Sequence, residues 1–263
     1  MRVENIEFPA EGVLAPMRIP ARLRIPDAAA ARTPAVVIAH GSAGPDSRGA
    51  SYAEALGEVG VASLEIDMWS ARGLKGGLDR PKHVSDTLPD VFGAFRYLVC
   101  RPEFDALRIG VMGFSWGGVL SMLTATRAVS RRYLRNGERF AAHAPLYPVC
   151  WLYNHAPGYE FRDLTGAPIL LQCGAADTYD APDSAEKLLA SLDPSDRASI
   201  RAIVYPDATH AFDQIDEPPR TVFDPIAHLG RGGDVAFTPN PEVGRAARAE
   251  TAGFFRQALG ANR

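Results

Sequence analysis

The apolar positions of this chain form two alternating patterns, short continuous runs and longer segments of helical character. The continuous runs are typical of strands buried on both faces, and they lie at residues 34–39, 61–66, 108–112, 140–146, 168–173 and 201–205. The segments predicted to be helical lie at residues 51–59, 85–98, 117–133, 182–192 and 242–259. Residues 1–26 instead alternate apolar and polar positions between Pro and Gly breaks, which predicts two antiparallel strands.

The alternation of strands and helices determines the predicted architecture. Such strands need crossover connections, so the fold class is expected to be α/β, a mostly parallel sheet with helices on both faces. Gly60 is expected to end the first helix, and Ser85 or Thr87 to cap the second. No repeat, low-complexity tract or long linker interrupts the pattern, so residues 1–263 are interpreted as a single domain.

Composition narrows the classes of function. The 263 residues carry 28 basic and 31 acidic side chains, a net charge of −3, without the Lys/Arg stripe typical of nucleic-acid binding. The longest strictly aliphatic run, Ala35 to Ala39, is far shorter than the roughly 18 residues of a membrane span. The three cysteines, without Cys-x-x-Cys spacing, favour a reducing compartment. Because no apolar leader follows Met1, a cytoplasmic location is expected.

The segment Gly-Phe-Ser-Trp-Gly-Gly at residues 113–118 lies between a predicted strand and a predicted helix. A Gly-x-Ser-x-Gly pattern in that place indicates a turn so tight that side chains two positions from the serine would clash. The turn lifts the serine hydroxyl above the sheet, and the following helix directs N–H groups and its positive dipole end to the same spot. Ser115 is therefore the predicted nucleophile.

Two further residues complete the predicted chemistry, because a serine hydroxyl needs a base and the base needs an orienting group. In α/β sheets of this kind the chain order is serine, carboxylate, histidine, and the groups gather at the carboxyl ends of strands. Asp177 follows the strand at 168–173, and His210 follows the strand at 201–205. Ser115, Asp177 and His210 are therefore predicted to form a catalytic triad.

Other residues compete for the acid and base roles. Asp180 and Asp183 share a loop with Asp177 but lie further from the strand, and Asp183 is typical of a helix N-cap. His40 ends a strand near the site but precedes the nucleophile, and His143 is expected to be a hydrogen-bonded core residue. The remaining histidines fall in loops and are expected to lie at the surface or around the site: His83, His155 and His228.

Acyl transfer also needs an oxyanion hole, since negative charge builds on the carbonyl oxygen and preorganised N–H donors stabilise it. The backbone N–H of Trp116, the residue after the nucleophile, is one predicted donor. The second donor usually comes from the loop after an earlier central strand. That loop is residues 40–44 here, and the N–H of Ser42 is the predicted donor.

With these residues placed, the chain resembles the α/β-hydrolases and, among them, the dienelactone hydrolase family. The resemblance extends over about residues 30–260. It rests on the His-Gly pair at 40–41, Ile-Asp-Met-Trp-Ser-Ala-Arg at 66–72, the turn at 113–118, Gly174 to Asp177 with Pro182, and Tyr205-Pro206 before His210-Ala211-Phe212. It implies a compact domain without a large cap that hydrolyses esters or lactones with no metal or other cofactor.

The chain departs from the family pattern at three positions. The founding members carry a cysteine nucleophile where this chain has Ser115, a glutamate where it has Gly41, and an arginine where it has Gln214. The resemblance implies that arginines bind the carboxylate of the family's substrate. Because the counterpart at 214 is missing, a neutral aromatic or short-chain ester is expected to be the better substrate.

Two segments are expected to line the substrate site. Residues 213–241 follow the predicted base and are interpreted as a long loop with Phe223 and Phe237 as its aromatics, and the loop at 69–82 is expected to face them. The predicted substrate contacts are Gly41, Trp69 and Arg72, with Arg220 and Arg231 as other sources of a cation.

The sequence thus predicts a serine hydrolase that cleaves a small carboxylic ester or lactone through an acyl-enzyme. A peptidase or an acyltransferase would use the same triad, whereas a binding protein of this fold would have lost a member of it. The expected partner is a small-molecule ester or lactone, with no nucleic acid and no membrane. Whether the chain forms a homo-oligomer is left open.

Overall fold

The computed structural model describes residues 1–11, 17–27 and 32–261. Its strands are β1 (Arg2–Pro9), β2 (Arg18–Ile25), β3 (Thr33–Ala39), β4 (Ala62–Ile66), β5 (Phe104–Phe114), β6 (His143–Leu146), β7 (Ile169–Gly174), β8 (Ile200–Tyr205), β9 (Arg220–Asp224) and β10 (Gly233–Phe237). The first eight form one sheet in the order β1-β2-β4-β3-β5-β6-β7-β8. Neighbours from β4 to β8 run parallel, and β1 and β2 add an antiparallel edge, as the sequence predicts. The connection at residues 12–16 lies outside the described residues.

The sheet is covered on both faces. The helices are α1 (Ser47–Glu58), α2 (Leu88–Val99), α3 (Trp116–Thr124), α4 (Arg127–Tyr133), α5 (Ser184–Ala190), α6 (Pro194–Arg197), α7 (Ala227–Gly230) and α8 (Pro241–Ala258). Side chains alternate along β3, so Val37 packs on the side of α2 and α3 while Val36 and Ile38 pack on the side of α1 and α8. The α/β prediction is therefore confirmed, and all parallel strands end at the same edge of the sheet.

The helix predicted at 117–133 is wrong as a single element. It divides into α3 and α4, because Thr126 has an extended backbone and its side chain accepts the N–H of Val129 as an N-cap. Residues 119–134 contain no Gly or Pro, so the sequence gives no signal of this break. A threonine that satisfies a helix N-terminus locally can end one helix and start another.

The cap predicted for α2 is also wrong. Thr87 occupies the N-cap position, but its hydroxyl donates to the carbonyl of Val84 and accepts the indole N–H of Trp116 at 2.9 Å. Ser85 lies in a one-turn 3-10 helix, Val84–Thr87, that precedes α2. The Thr87 hydroxyl therefore supports the residue after the predicted nucleophile and does not cap its own helix.

The segment 213–241, predicted to be a loop, contains regular structure. Strands β9 and β10 pair antiparallel, with Arg220 opposite Phe237 and Val222 opposite Val235, and α7 connects them. This hairpin, residues 220–237, buries Val235 and Ala227 against the loop that follows β6. The pattern was missed because β9 is exposed at most positions and lacks clear alternation. Within the described parts of the chain, every helix is too short or too polar to cross a membrane.

Candidate active site

Ser115 stands at the sharp turn between β5 and α3. Its backbone is in the left-handed region, with φ of 50°. The turn is so tight that a Cβ on Gly113 would lie 2.3 Å from the carbonyl of Gly117, and one on Gly117 would lie 2.1 Å from the carbonyl oxygen of Ala39. Neither position can hold a side chain, which is the physical reason for glycine at both.

The hydroxyl of Ser115 lies 2.9 Å from Nε2 of His210, and Nδ1 of His210 lies 2.6 Å from Oδ2 of Asp177. A carboxylate can only accept, so the neutral imidazole carries its proton on Nδ1 and presents the Nε2 lone pair to the serine. The other carboxylate oxygen of Asp177 accepts the N–H of Tyr179, which fixes its orientation. The structure thus brings the three predicted residues into one chain of hydrogen bonds.

The loops that carry Asp177 and His210 are held together by their backbones. The N–H groups of Ala175 and Ala176, after β7, donate to the carbonyls of Tyr205, the last residue of β8, and of Ala208 in the loop that follows. Gly174 makes this approach possible, because a Cβ there would lie 2.1 Å from the carbonyl oxygen of Ala208. The carboxylate and the imidazole therefore meet although 33 residues separate them.

The two rival carboxylates have other partners. Asp180 accepts the backbone N–H groups of Cys150 and Trp151, and burial, with the charge of Asp177, raises its pKa to about 6. Asp183 stands before α5 and forms an exposed ion pair with Lys187, but its side chain makes no capping hydrogen bond. Neither carboxylate is bonded to the base.

The two buried histidines outside this hydrogen-bond chain are both held neutral. His143 donates from Nδ1 to the carbonyl of Ser121, and burial lowers its pKa to about 3, as expected of a core residue. His40 donates from Nδ1 to the carbonyl of Gly41 and accepts the N–H of Met68 on Nε2, and burial lowers its pKa to about 4. His40 therefore links the loop after β3 to the loop after β4.

The loop at 40–44, predicted to supply an oxyanion donor, lies against Ser115. A Cβ on Gly41 would be 3.8 Å from the Cβ of Ser115. The carbonyl of Ser42 accepts the indole N–H of Trp69 at 3.0 Å and the N–H of Gly77 at 2.8 Å. These two bonds fix the loop in front of the serine. The N–H of Ser42 as an oxyanion donor stays a prediction.

Trp69 is a buried support of this loop. Besides its bond to Ser42, its ring meets the rings of His40 and Trp116 edge to face, at centroid distances of 4.9 and 5.5 Å. The Trp116 ring is held in turn by Thr87. The indole of Trp116 is therefore held by a hydrogen bond to Thr87 and by a ring contact with Trp69. Trp69 as a direct substrate contact stays a prediction.

Arg72 is engaged elsewhere, which argues against the predicted contact with substrate. Its guanidinium forms a bidentate ion pair with the buried carboxylate of Asp90, at 2.6 and 3.0 Å, and also donates to the carbonyl of Met68. Burial raises the pKa of Asp90 to about 6, and the charge of Arg72 opposes that rise. A substrate anion would have to displace a carboxylate that has no exposed surface.

The imidazole of His210 lies among three aromatic rings. The rings of Tyr179, Tyr147 and Phe237 stand 4.5, 4.9 and 5.4 Å from it, between centroids, all at steep angles. Phe237 belongs to the hairpin, so part of the segment 213–241 lies beside His210, and its role in lining a substrate site stays a prediction. The other two rings were missed, since tyrosines far apart in sequence carry no signal of where they meet.

The loop at 69–82 faces the hairpin, as predicted. Arg80 donates to Asp224 at 3.0 Å, and the hydroxyl of Tyr179 donates to the same carboxylate oxygen. The guanidinium of Arg80 also lies over the ring of Trp116, 5.6 Å from its centroid. Arg80 and Asp224 therefore join the surroundings of the nucleophile to those of the base. Nothing in the sequence pattern pairs residues 144 positions apart.

The arrangement supplies the groups of nucleophilic acyl transfer: a serine hydroxyl, a base that can take its proton, and a buried carboxylate that orients the base. Among the residues described, no cluster of three or more His, Cys, Asp and Glu side chains is arranged as a metal site.

A family model described as the dienelactone hydrolase family matches residues 19–257 of the chain. An uncharacterized protein of Mycobacterium tuberculosis is 29% identical over 185 residues, which are 67% of this chain and 63% of that protein. The chain therefore spans less than two thirds of the length of this relative.

Solved structures of esterases have the same fold. An esterase of Pyrobaculum calidifontis gives a TM-score of 0.66 at 19% identity, over 99% of this chain and 87% of that one. Esterase 2 of Thermogutta terrifontis, phosphorylated by paraoxon, gives a TM-score of 0.65 at 14% identity, over 97% of this chain and 94% of that one. The dienelactone hydrolase-like promiscuous phosphotriesterase P91, from metagenomic libraries, gives 0.61 at 16% identity, over 98% of both chains.

Proposed function

Because this chain belongs to the dienelactone hydrolase family, we propose that it is a serine hydrolase of small carboxylic esters or lactones. The observation that carries the proposal is the continuous hydrogen-bond chain from Ser115 through His210 to Asp177. A hydroxyl, an imidazole and a carboxylate in that order are the groups that acyl transfer by a serine requires. Esterases among the solved structures of the same fold add support.

In the first half of the reaction, Oγ of Ser115 forms a bond to the carbonyl carbon while Nε2 of His210 takes the hydroxyl proton. Asp177 stabilises the imidazolium that results. The negative charge on the carbonyl oxygen is stabilised by the N–H groups of Trp116 and Ser42. The bond to the alcohol then breaks, and Nε2 gives its proton to the departing oxygen.

In the second half, water replaces the alcohol. His210 takes a proton from the water, whose oxygen attacks the acyl carbon, and the bond to Oγ of Ser115 breaks as the proton passes back to it. An acceptor alcohol in place of water would give acyl transfer by the same steps. Product analysis with an added alcohol separates the two activities.

The charges around the site favour a neutral substrate. Three nearby arginines each face a carboxylate: Arg48 bonds Asp46, Arg72 bonds Asp90, and Arg80 bonds Asp224. Arg220 differs from them, since it bonds the neutral amide oxygen of Gln214 and lies over the ring of Phe237. Because the charges of the other three arginines are already balanced, aromatic or short-chain neutral esters are the proposed substrates, and Arg220 is the candidate contact for a substrate carboxylate.

The test is hydrolysis of a short-chain 4-nitrophenyl ester by the wild type and by Ser115→Ala, together with labelling by an aryl phosphonate. The wild type is expected to turn the ester over and to gain one phosphonyl group on Ser115, and EDTA is expected to change neither. The variant should lose about three orders of magnitude or more in kcat, because a triad acts as a unit. A folded variant that keeps more than about a tenth of the turnover would contradict the mechanism.

A further inference from the structure

A buried polar cluster lies beneath the catalytic base, on the side of the sheet covered by α1 and α8. Its centre is Asp213, whose side chain has no exposed surface. One carboxylate oxygen of Asp213 accepts the hydroxyl of Tyr147 at 2.6 Å, and the other accepts the hydroxyl of Tyr52 at 2.8 Å. Arg48 donates to the oxygen of Tyr147 at 2.9 Å and also bonds the carboxylate of Asp46. Neither the triad nor the oxyanion loop uses any of these groups.

The hydroxyl of Tyr147 takes part in two hydrogen bonds, one as acceptor and one as donor, and together they fix its position. Arg48 can only donate, so the tyrosine oxygen accepts from it, and the hydroxyl proton must point to Asp213. Burial raises the pKa of Tyr147 well above its usual range, so the proton stays on the tyrosine. The backbone is equally constrained, with φ of 38° and an N–H that donates to the carbonyl of Gln172 at 2.6 Å.

The ring held in this way contacts the base. The Tyr147 ring meets the imidazole of His210 at a centroid distance of 4.9 Å and an angle of 66°. Tyr52 is bonded to the same carboxylate and is buried to the same extent, but its ring meets Phe114, at 5.0 Å. The two tyrosines therefore share a hydrogen-bond acceptor and differ in the side chain that each ring supports.

We propose that Tyr147 is a positioning residue for His210: its hydroxyl, anchored by Asp213 and Arg48, fixes the ring that holds the imidazole against Ser115. The inference rests on the proposed function, in which His210 is the base. Displacement of a reacting group by a fraction of an ångström slows a reaction without altering the affinity for substrate. Loss of the hydroxyl should therefore lower the rate of the chemical step and leave binding unchanged.

The experiment compares Tyr147→Phe with Tyr52→Phe as its matched control. Each variant loses one hydroxyl bond to Asp213 and keeps its ring, and Tyr147→Phe also loses the bond from Arg48, so it is expected to be the less stable of the two. The aryl phosphonate reaction is followed to completion by intact mass, which gives a rate constant for attack by Ser115 and a final labelled fraction. The rate constant reports the alignment of the base, whereas the labelled fraction counts the molecules with a folded site.

Tyr147→Phe is expected to lower the phosphonylation rate constant and the kcat for a neutral ester about 10-fold, with KM within about twofold and complete final labelling. Tyr52→Phe should keep both rate constants within about twofold of the wild type. Equal rates in the two variants, or a Tyr147→Phe defect confined to the labelled fraction, would overturn the inference.

A second variant and the labelling of the wild type keep the test decisive. If Tyr147→Phe does not fold, Arg48→Met removes the donor to the tyrosine oxygen and keeps an unbranched apolar stem, and the same loss of rate with full labelling is expected. An unchanged rate in Arg48→Met would then overturn the inference. Failure of the wild type to be labelled at Ser115 would instead contradict the proposed function, which is a separate result.

Discussion

Arg72→Met tests whether Arg72 serves the fold or the substrate. In the structure its guanidinium is bonded to both oxygens of Asp90, whose side chain has no exposed surface. Methionine fills similar space but leaves the carboxylate without its cation. The variant is therefore expected to be less stable at neutral pH and to keep the wild-type KM for a neutral ester.

The magnitude follows from the pKa of Asp90. With Arg72 present, burial raises that pKa from 3.8 to about 6, which corresponds to a cost of about 3 kcal/mol for the ionised form. Loss of the cation raises the pKa further. Removing one partner of a buried pair costs about 3–5 kcal/mol, and partial solvation of Arg72 places the expected loss near the lower end, about 3 kcal/mol at pH 8.

The pH dependence has a definite sign. When a carboxyl has a higher pKa in the folded state than in the unfolded state, the protein is more stable at low pH. That stability is lost as the pH rises through the pKa of the folded state. Because Arg72→Met raises the folded pKa of Asp90, its deficit relative to the wild type should narrow from about 3 kcal/mol at pH 8 to about 1 kcal/mol at pH 5.5.

The assay is urea unfolding of the wild type, Arg72→Met and the double variant Arg72→Met with Asp90→Leu, at both pH values. The double variant removes both charges and should recover most of the stability. A loss below about 1 kcal/mol at pH 8, or the same loss at both pH values, would refute the reasoning about Asp90. If the folded variant has a KM for a neutral ester raised more than about tenfold, Arg72 contacts the substrate after all.

Three further outcomes are expected. Gly117→Ala should lower both the free energy of unfolding and kcat, because its Cβ would lie 2.1 Å from the carbonyl oxygen of Ala39; wild-type turnover would contradict the account of the turn. Burial lowers the pKa of His143 to about 3, so the folded protein holds this side chain neutral and loses stability as the pH falls below about 6.5. Between pH 6.5 and 5, the free energy of unfolding of the wild type should fall by about 2 kcal/mol more than that of His143→Asn, as measured by urea unfolding. Paired kinetics should give neutral esters a higher kcat/KM than matched esters with a free carboxylate, and a preference for the acids that Arg220→Ala abolishes would contradict the neutral-substrate proposal.

The strongest sequence predictions concern residues whose chemistry and local backbone coincide. The turn at 113–118 could be predicted because glycine is required on both sides of Ser115, and the loops after β7 and β8 because a parallel sheet brings the ends of its strands together. The same reasoning placed Asp177 and His210 within reach of each other. These features depend on order along the chain and on the period of the strands, and both can be read from one sequence.

Other features depend on contacts that no local pattern contains. The break at Thr126 is made by a single side chain, and no Gly or Pro in residues 119–134 signals it. The ion pair between Arg72 and Asp90 and the cluster around Asp213 join segments that are distant in sequence. A charged residue in a predicted loop has the same signature whether it binds a ligand or a buried carboxylate. For that reason the sequence could not show that Arg72 pairs with Asp90, and its contact with substrate stays a prediction.

The position of β8 at one margin of the described sheet has a consequence for how the molecule loses activity. This strand pairs only with β7, whereas β5, which carries Ser115, has a neighbour on each side. Local opening starts where fewer bonds must break, so fraying of β8 displaces the loop of His210 while the centre of the sheet stays intact. Under mild denaturing stress we therefore expect a compact form that retains the turn at Ser115 but has lost the hydrogen bond from Ser115 to His210, before the core unfolds.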